Sequence, residues 1–196
     1  MSIILASQSA ARRAVLTGAG VAHEAVVAGV DEDAAKAVLL TEGAGPRAVA
    51  DALAEQKAIA VSATRAGIVI GADQTLDLDG ELYDKAVDLA AARARLKLLR
   101  GRTHKLHSAV VVAQDGAAIW REVVSATLTM RDFSDAFLEA YLAEEGPHAL
   151  GSVGCYRLEG PGAQLFSRIE GDYFAILGLP LMGLMDLLRR HGELAQ

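Results

Sequence analysis

The chain has 196 residues, 52% of them hydrophobic and 22% charged, which is enough for one sizeable domain with a real core and too apolar for a disordered chain. A net charge of -6 and a pI near 5.4 argue against sequence-independent binding to nucleic acid or to an anionic membrane, since both need a basic face. The single cysteine, Cys155, rules out an internal disulfide and fits a reducing compartment, and its expected role is that of a small buried hydrophobe.

The opening MSIILASQSAARR places its arginines after a short apolar run, whereas a secretion signal places positive charge first. No stretch reaches the roughly 18 apolar residues that a spanning helix needs. A cytoplasmic protein is expected. Ile3 to Ala6 reads as a short buried strand, and Ser9 is placed to cap a helix from about Ala10 to Thr17 that stops at Gly18 and Gly20. Val30-Asp31-Glu32-Asp33 reads as an acidic loop. Pro46 opens a helix to about Val61, whose apolar spacing places Lys57 on a face with Val49, Leu53 and Ala60.

Ile68 to Ile70 is a fully apolar strand, followed by a turn at Asp79-Gly80 and a helix from a cap at Asp88 to Leu99, closed by Gly101. Leu106 to Ala113 and Ala117 to Met130 flank Asp115-Gly116 and predict an antiparallel hairpin. Ser134 caps a helix over Asp135 to Glu144, and Pro180 opens the last helix, ended by Gly192. Strands and helices mix without strict alternation. The expected architecture is one continuous domain over residues 1–196 with a three-layer α/β fold and a mixed sheet.

Three groups of residues could carry chemistry. Asp77-Leu78-Asp79-Gly80 resembles the nucleophile loop of haloacid-dehalogenase-type phosphatases, but the apolar strand before it ends too early, and Asp with Gly is ordinary turn chemistry. Asp73 stands just past the expected carboxyl end of that strand, where open α/β sheets place their ligands, with Gly71 and Ala72 leaving space for a substrate. A loop-capping aspartate is the alternative. Ser7, Ser9, Arg12 and Arg13 join hydroxyls, a helix start and guanidinium groups into a phosphate cradle, with an N-cap and solvated arginines as the alternative.

Lys57 and Lys85 add positive charge, while Glu32, Asp73 and Glu159 supply hard oxygen donors. Carboxylates facing cations suit a triphosphate bridged to a divalent metal. No Lys-Ser/Thr phosphate loop is present. His104 and His107, three apart at the start of a strand, point to opposite faces and do not predict a shared metal. Met182 and Met185 are expected in the core, and Arg189-Arg190 at the last helix's carboxyl end complement its dipole.

ILASQSAARRAVL, VIGADQT, LYDKAVDLAAARARLKLLRGRTHKLHSAVVV and IEGDYFAILGLPL, in that order, resemble the successive motifs of the Maf proteins from residue 3 to about residue 192. The resemblance implies a fold similar to that of inosine-triphosphate pyrophosphatase. It also implies hydrolysis of nucleoside triphosphates to monophosphate and pyrophosphate with Mg²⁺ or Mn²⁺, a homodimer, and a link to arrest of septum formation. Carried over, Asp73 is the general base; Ser7, Arg12, Glu32, Lys57 and Lys85 complete the site, Ser9 lies in the opening motif, and Glu159 helps to read the base.

Ala10 replaces the family proline, and Ala86 follows Lys85 in place of another. Gln74 and Glu159 match the branch acting on 7-methyl-GTP, whereas relatives preferring dTTP and UTP commonly carry Thr and Gln there. Ala11 departs from that branch's frequent tryptophan.

Overall fold

In the computed structural model, which describes residues 2–195, the apolar run Ile3–Ala6 forms strand β1 and leads into helix α1 (Ala10–Gly18), where the Ser9 hydroxyl accepts from the Arg12 amide. The short strand β2 (Glu24–Ala25) pairs parallel with β1. Helix α2 (Glu32–Thr41) follows, in place of the expected acidic loop. Asp31 caps it and Glu32 and Asp33 fill its first turn, so the acidic cluster is a helix start.

Helix α3 (Pro46–Ser62) starts at its proline and buries Val49, Ala50, Leu53, Ala54, Lys57, Ala58 and Val61 on one face, as expected for Val49, Leu53 and Lys57, whereas Ala60, expected on the same face, is exposed at the edge of the stripe in the last turn. Strand β3 is much longer than expected and spans Ile68–Leu78. Antiparallel pairing with β5 (Thr103–Gln114) over Val69 to Asp77 carries it through the polar residues that the sequence suggested were loop.

Asp79 and Gly80 turn β3 into β4 (Glu81–Tyr83), both at positive φ, of 56° and 90°, as a two-residue hairpin requires. The same chemistry at Asp115-Gly116 joins β5 to β6 (Ala117–Met130). Helix α4 (Leu89–Leu99), capped by Asp88, and α5 (Asp135–Glu145), capped by Ser134, match expectation. Two 3-10 turns, Gly146–Gly151 and Pro161–Leu165, then lead to β7 (Phe166–Glu170). The chain closes with the short helix α6 (Tyr173–Ile176) and α7 (Leu181–Arg190).

The seven strands form one mixed sheet in the order β2-β1-β3-β5-β6-β7, with β4 beside β3. Helix α3 covers one face, packing Ala50, Ala54 and Ala58 on Ala109, Val111 and Ala113. The opposite face is covered at one end by Leu16, Leu184 and Leu188 of α1 and α7, and at the other by Leu96, Leu99 and Leu138 of α4 and α5. Three layers result, as expected.

Cys155 is fully buried, and burial pushes its thiol pKa up. Met185 packs against the core, but Met182 is exposed on the other side of α7 because residues three apart need not share the buried stripe of a short helix. No helix among the described residues is long and apolar enough to cross a membrane.

Candidate active site

Strand β1 ends at Ala6, opposite Gly71 of β3, whereas β4 joins the same edge of β3 only at Leu76. Between these points β3 outruns its neighbour and Asp73 sits in the gap. The sequence placed Asp73 past the end of its own strand. It lies inside β3 and past the end of β1, which is still the kind of crevice where an interrupted sheet edge admits a ligand.

Gly71 does not leave room for a substrate. A Cβ there would stand 2.2 Å from the Ala54 carbonyl oxygen and 2.6 Å from the Ala58 nitrogen, so the glycine is what lets α3 lie close on β3. Ala72 belongs to the core of the opposite face. The close approach brings the buried Lys57 onto Asp73.

Lys57 Nζ donates to Asp73 Oδ1 at 2.6 Å and pairs with Glu32 Oε2 at 2.7 Å. The Asp73 side chain is 12% exposed and that of Glu32 48%, so one carboxylate faces the core and the other reaches in from α2. Arg12 Nη1 donates to Ser7 Oγ at 3.1 Å and Arg12 Nε to the Gly178 carbonyl at 2.8 Å. Burial lowers the Arg12 pKa against the opposing attraction of Asp73 and Glu32.

Lys85, on the rim after β4, has its pKa lowered by desolvation and then by the charge of Arg12, while Asp73 and Glu32 pull it up. Ser7, Arg12, Glu32, Lys57, Asp73 and Lys85 therefore form one electrostatic group. Ser9 belongs to its scaffold: its amide donates to Ser7 Oγ at 3.3 Å while its hydroxyl caps α1. Arg13 is exposed and lines, with Ser7, Gln8 and Val27, a neighbouring cleft of about 360 Å³.

Gln74 does not face this group. Successive strand residues point to opposite faces, and the Gln74 Nε2 donates to Ser108 Oγ, Ala175 O and Ile176 O at 2.8, 3.1 and 3.0 Å. Glu159 is exposed in the loop between the 3-10 turns, with Arg157 and Tyr141 as electrostatic neighbours. Among the described residues no contact joins it to Asp73. Its loop nevertheless borders the Lys85 rim, because Arg95 Nη1 donates to both Asp84 O at 2.9 Å and Val153 O at 2.8 Å.

Lys36 is a site neighbour that the sequence reading missed. It bonds Asp84 at 2.5 Å and lies 3.7 Å from Asp33, tying α2 to the segment before Lys85. Burial would lower its pKa, but the Asp84 bond and the charges of Asp84, Asp33 and Asp73 outweigh it and raise the ammonium above its ordinary value. Asp33 with Lys36 is an i,i+3 pair, a signal visible only once Asp31 is recognised as a helix cap. Asp77 accepts from the Gly80 amide at 2.8 Å and bonds His107 at 3.1 Å, so it stitches the hairpin and takes no part in the crevice. His104 bonds Tyr156 on the other sheet face, as the spacing predicts.

No group of three or more His, Cys, Asp or Glu that could hold a metal by itself occurs among the described residues. Glu32 Oε2 and Asp73 Oδ1 converge on the Lys57 ammonium, so that Glu32 Oε1 and Asp73 Oδ2 are the hard donors that would serve a cation. Such a pair fits a Mg²⁺-type ion that takes its remaining ligands from phosphate oxygens and water, and does not fit an all-protein cage.

The fold and this crevice define a mixed-sheet α/β protein suited to a small polyanion, with cations arrayed around two carboxylates. The chain belongs to the Maf family: the sequence profile described as Maf-like protein matches residues 2–191. It is 65% identical over 192 residues to a nucleoside triphosphate pyrophosphatase of Caulobacter vibrioides, covering 98% of this chain and 96% of that protein. Proteins named 7-methyl-GTP pyrophosphatase are similar over comparable lengths. That of Mesorhizobium japonicum is 50% identical, covering 98% of this chain and 97% of its own length, and that of Brucella abortus is 49% identical, covering 97% and 96%.

Proposed function

We propose that this protein hydrolyses nucleoside triphosphates to the monophosphate and pyrophosphate, with 7-methyl-GTP as its preferred substrate, and that it acts in the cytoplasm. The observation that carries this reading is the convergence of Asp73 and Glu32 on Lys57, with Arg12 and Lys85 in the same electrostatic group. The names of its relatives support the reaction, and those at 49–50% identity support the base.

Arg12 and Lys85 bind the phosphate oxygens, and Lys57 fixes the rotamer of Asp73 by its 2.6 Å bond. Asp73 takes a proton from water as the water oxygen bonds to the α-phosphorus and the bond from that phosphorus to its β-bridging oxygen breaks. Lys85 offsets the charge that builds on the departing pyrophosphate. Glu32 and Asp73 would hold a divalent cation, which when bound neutralises phosphate charge and polarises the P–O bonds.

Glu159 is the proposed base-reading group. Its carboxylate accepts from the N1–H and exocyclic amine of guanine, and the positive charge added by N7 methylation favours it. The Gln74 amide bonds Ser108 and the Ala175 and Ile176 carbonyls on the other side of the sheet.

Pyrophosphate release measured over 7-methyl-GTP, GTP, dTTP, UTP and 5-methyl-UTP, each with and without Mg²⁺ or Mn²⁺, tests the reading. The highest kcat/KM is expected for 7-methyl-GTP with metal. A higher value for dTTP or UTP would overturn the substrate assignment, and binding without release would overturn the reaction.

A further inference from the structure

We propose that Arg95 is a positioning residue that, together with Cys155, fastens the backbone on either side of Lys85 to the loop between the two 3-10 turns and so sets Lys85 against the phosphates. The inference rests on the reading of Lys85 as a phosphate-binding group.

Lys85 has no strand or helix of its own. It lies in the connection of residues 84–88 between β4 and α4, where neither a ladder nor a helical bond fixes the backbone. The residues next to it are held by side chains instead. Arg95 of α4 donates through Nη1 to Asp84 O at 2.9 Å and to Val153 O at 2.8 Å, one N–H for each carbonyl. Its Cζ lies 4.5 Å from the centre of the Tyr83 ring, which seats the guanidinium on the last residue of β4.

On the other side of Lys85, Ala86 is buried. Burial raises the Cys155 thiol pKa, while the nearby Arg95 charge and a hydrogen bond from the Ala86 backbone oppose the rise. A bond that favours a thiolate comes from an N–H, so the Ala86 amide is the donor and the Cys155 sulfur the acceptor. That donor exists because alanine stands where the Maf motif has proline.

The loop is the fixed partner in this arrangement. Tyr141 OH of α5 donates to Cys155 O at 3.0 Å, and His104 of β5 bonds Tyr156 OH at 2.7 Å, so helix and sheet both hold the loop. Lys36 grips the Asp84 carboxylate from the other direction, but α2 buries none of its residues and offers no rigid anchor. The rim carrying Lys85 therefore takes its place from the loop. A planar guanidinium suits this role, because it holds two donors at a set angle that a single ammonium does not reproduce.

The test compares Arg95→Met, which keeps an apolar stem and loses both donors, with Arg95→Lys, which keeps the charge and loses the fork. Cys155→Ala removes the sulfur acceptor and Cys155→Ser keeps one. Lys85→Gln and the double variant Arg95→Met/Lys85→Gln complete the set. Each is measured for the Kd of inorganic tripolyphosphate with Mg²⁺ by titration calorimetry, and for kcat of pyrophosphate release from 7-methyl-GTP and UTP. Arg95→Met should weaken tripolyphosphate binding about tenfold and lower kcat by a similar factor, since Lys85 both binds phosphate and offsets charge on the departing pyrophosphate. Arg95→Lys should recover only part of that loss. Cys155→Ala should weaken binding about threefold, and Cys155→Ser should match the parent. In the Lys85→Gln background Arg95→Met should change Kd by less than about twofold.

Equal factors for Arg95→Met in the parent and Lys85→Gln backgrounds would make Arg95 a general stabiliser of the fold and overturn the proposal, as would parent-like Kd and kcat in Arg95→Met. Should Arg95→Met not fold, the contrast between Cys155→Ala and Cys155→Ser carries the test, and equal Kd values for those two would overturn it. If Lys85→Gln leaves tripolyphosphate binding unaltered, the phosphate-binding reading of Lys85 fails and this inference fails with it. A response to Lys85→Gln without one to Arg95→Met leaves that reading standing and removes the inference alone.

Discussion

At the scale of single residues the site turns on one ammonium between two carboxylates of unequal burial. Lys57→Met would leave the nearly buried Asp73 without its cation, and should lower the free energy of unfolding by about 3 kcal/mol, read from the urea midpoint. Glu32 is half-exposed, so Glu32→Gln should cost less than about 1 kcal/mol of stability and instead raise the Mg²⁺ concentration needed for half-maximal pyrophosphate release. Asp73→Asn keeps the shape of the side chain and removes the proposed base, so turnover should fall by roughly 10² to 10⁴. Parent-like turnover in that variant would reassign the proton transfer to another group.

At the scale of elements, the crevice exists because β3 continues for several residues beyond the end of β1, and because α3 can settle on β3 at Gly71. Gly71→Ala drives a methyl group into the α3 backbone and should destabilise the fold by about 1–3 kcal/mol, while moving Lys57 away from Asp73 and lowering kcat. A companion Gly18→Ala meets nothing within 4 Å at the end of α1, and its thermal midpoint should be equal to or slightly above the parent's. An unchanged midpoint and kcat in Gly71→Ala would show that α3 can shift without consequence. Helix α2 buries none of its residues, so its position depends on the polar ties of Glu32 to Lys57 and of Lys36 to Asp84.

At the scale of the whole molecule, His104 links the central sheet to the loop between the two 3-10 turns and to β7, through Tyr156 OH at 2.7 Å and ring contacts with Tyr156 and Phe166. Burial pushes its pKa down to about 4 from 6.5. Between these values the unfolded chain binds a proton that the folded chain does not, so stability from this group is present above pH 6.5 and is lost as pH falls towards 4. The loss amounts to about 3 kcal/mol. Urea titrations across that range should show the decline, and His104→Gln, which can still bond Tyr156, should flatten it. An equally steep decline in that variant would assign the acid sensitivity to other groups.

The chain alone fixed what depends on local chemistry. Caps at Ser9, Asp88 and Ser134, the Asp-Gly turns and the buried stripe of α3 with Lys57 on it follow from propensity, periodicity and short-range hydrogen bonding, whereas Ser7, Arg12, Asp73 and Lys85 are singled out by their resemblance to the Maf motifs. The tertiary structure decided what depends on which strands become neighbours. Pairing with β5 satisfies the backbone of residues 71–77 and turns an expected loop into strand. Strand alternation then sends Asp73 to the crevice and Gln74 to the far side.

The early end of β1 relative to β3 opens the sheet edge there. The surroundings of Gly71 and Gly178 are set by what lies within 4 Å of their missing side chains, and the Gln74 amide is bonded by two backbone carbonyls about a hundred residues away. Carbonyl groups are common to every residue, so nothing in the order of amino acids marks which of them will become a ligand. Only the folding of α6 against β3 and β5 makes that choice.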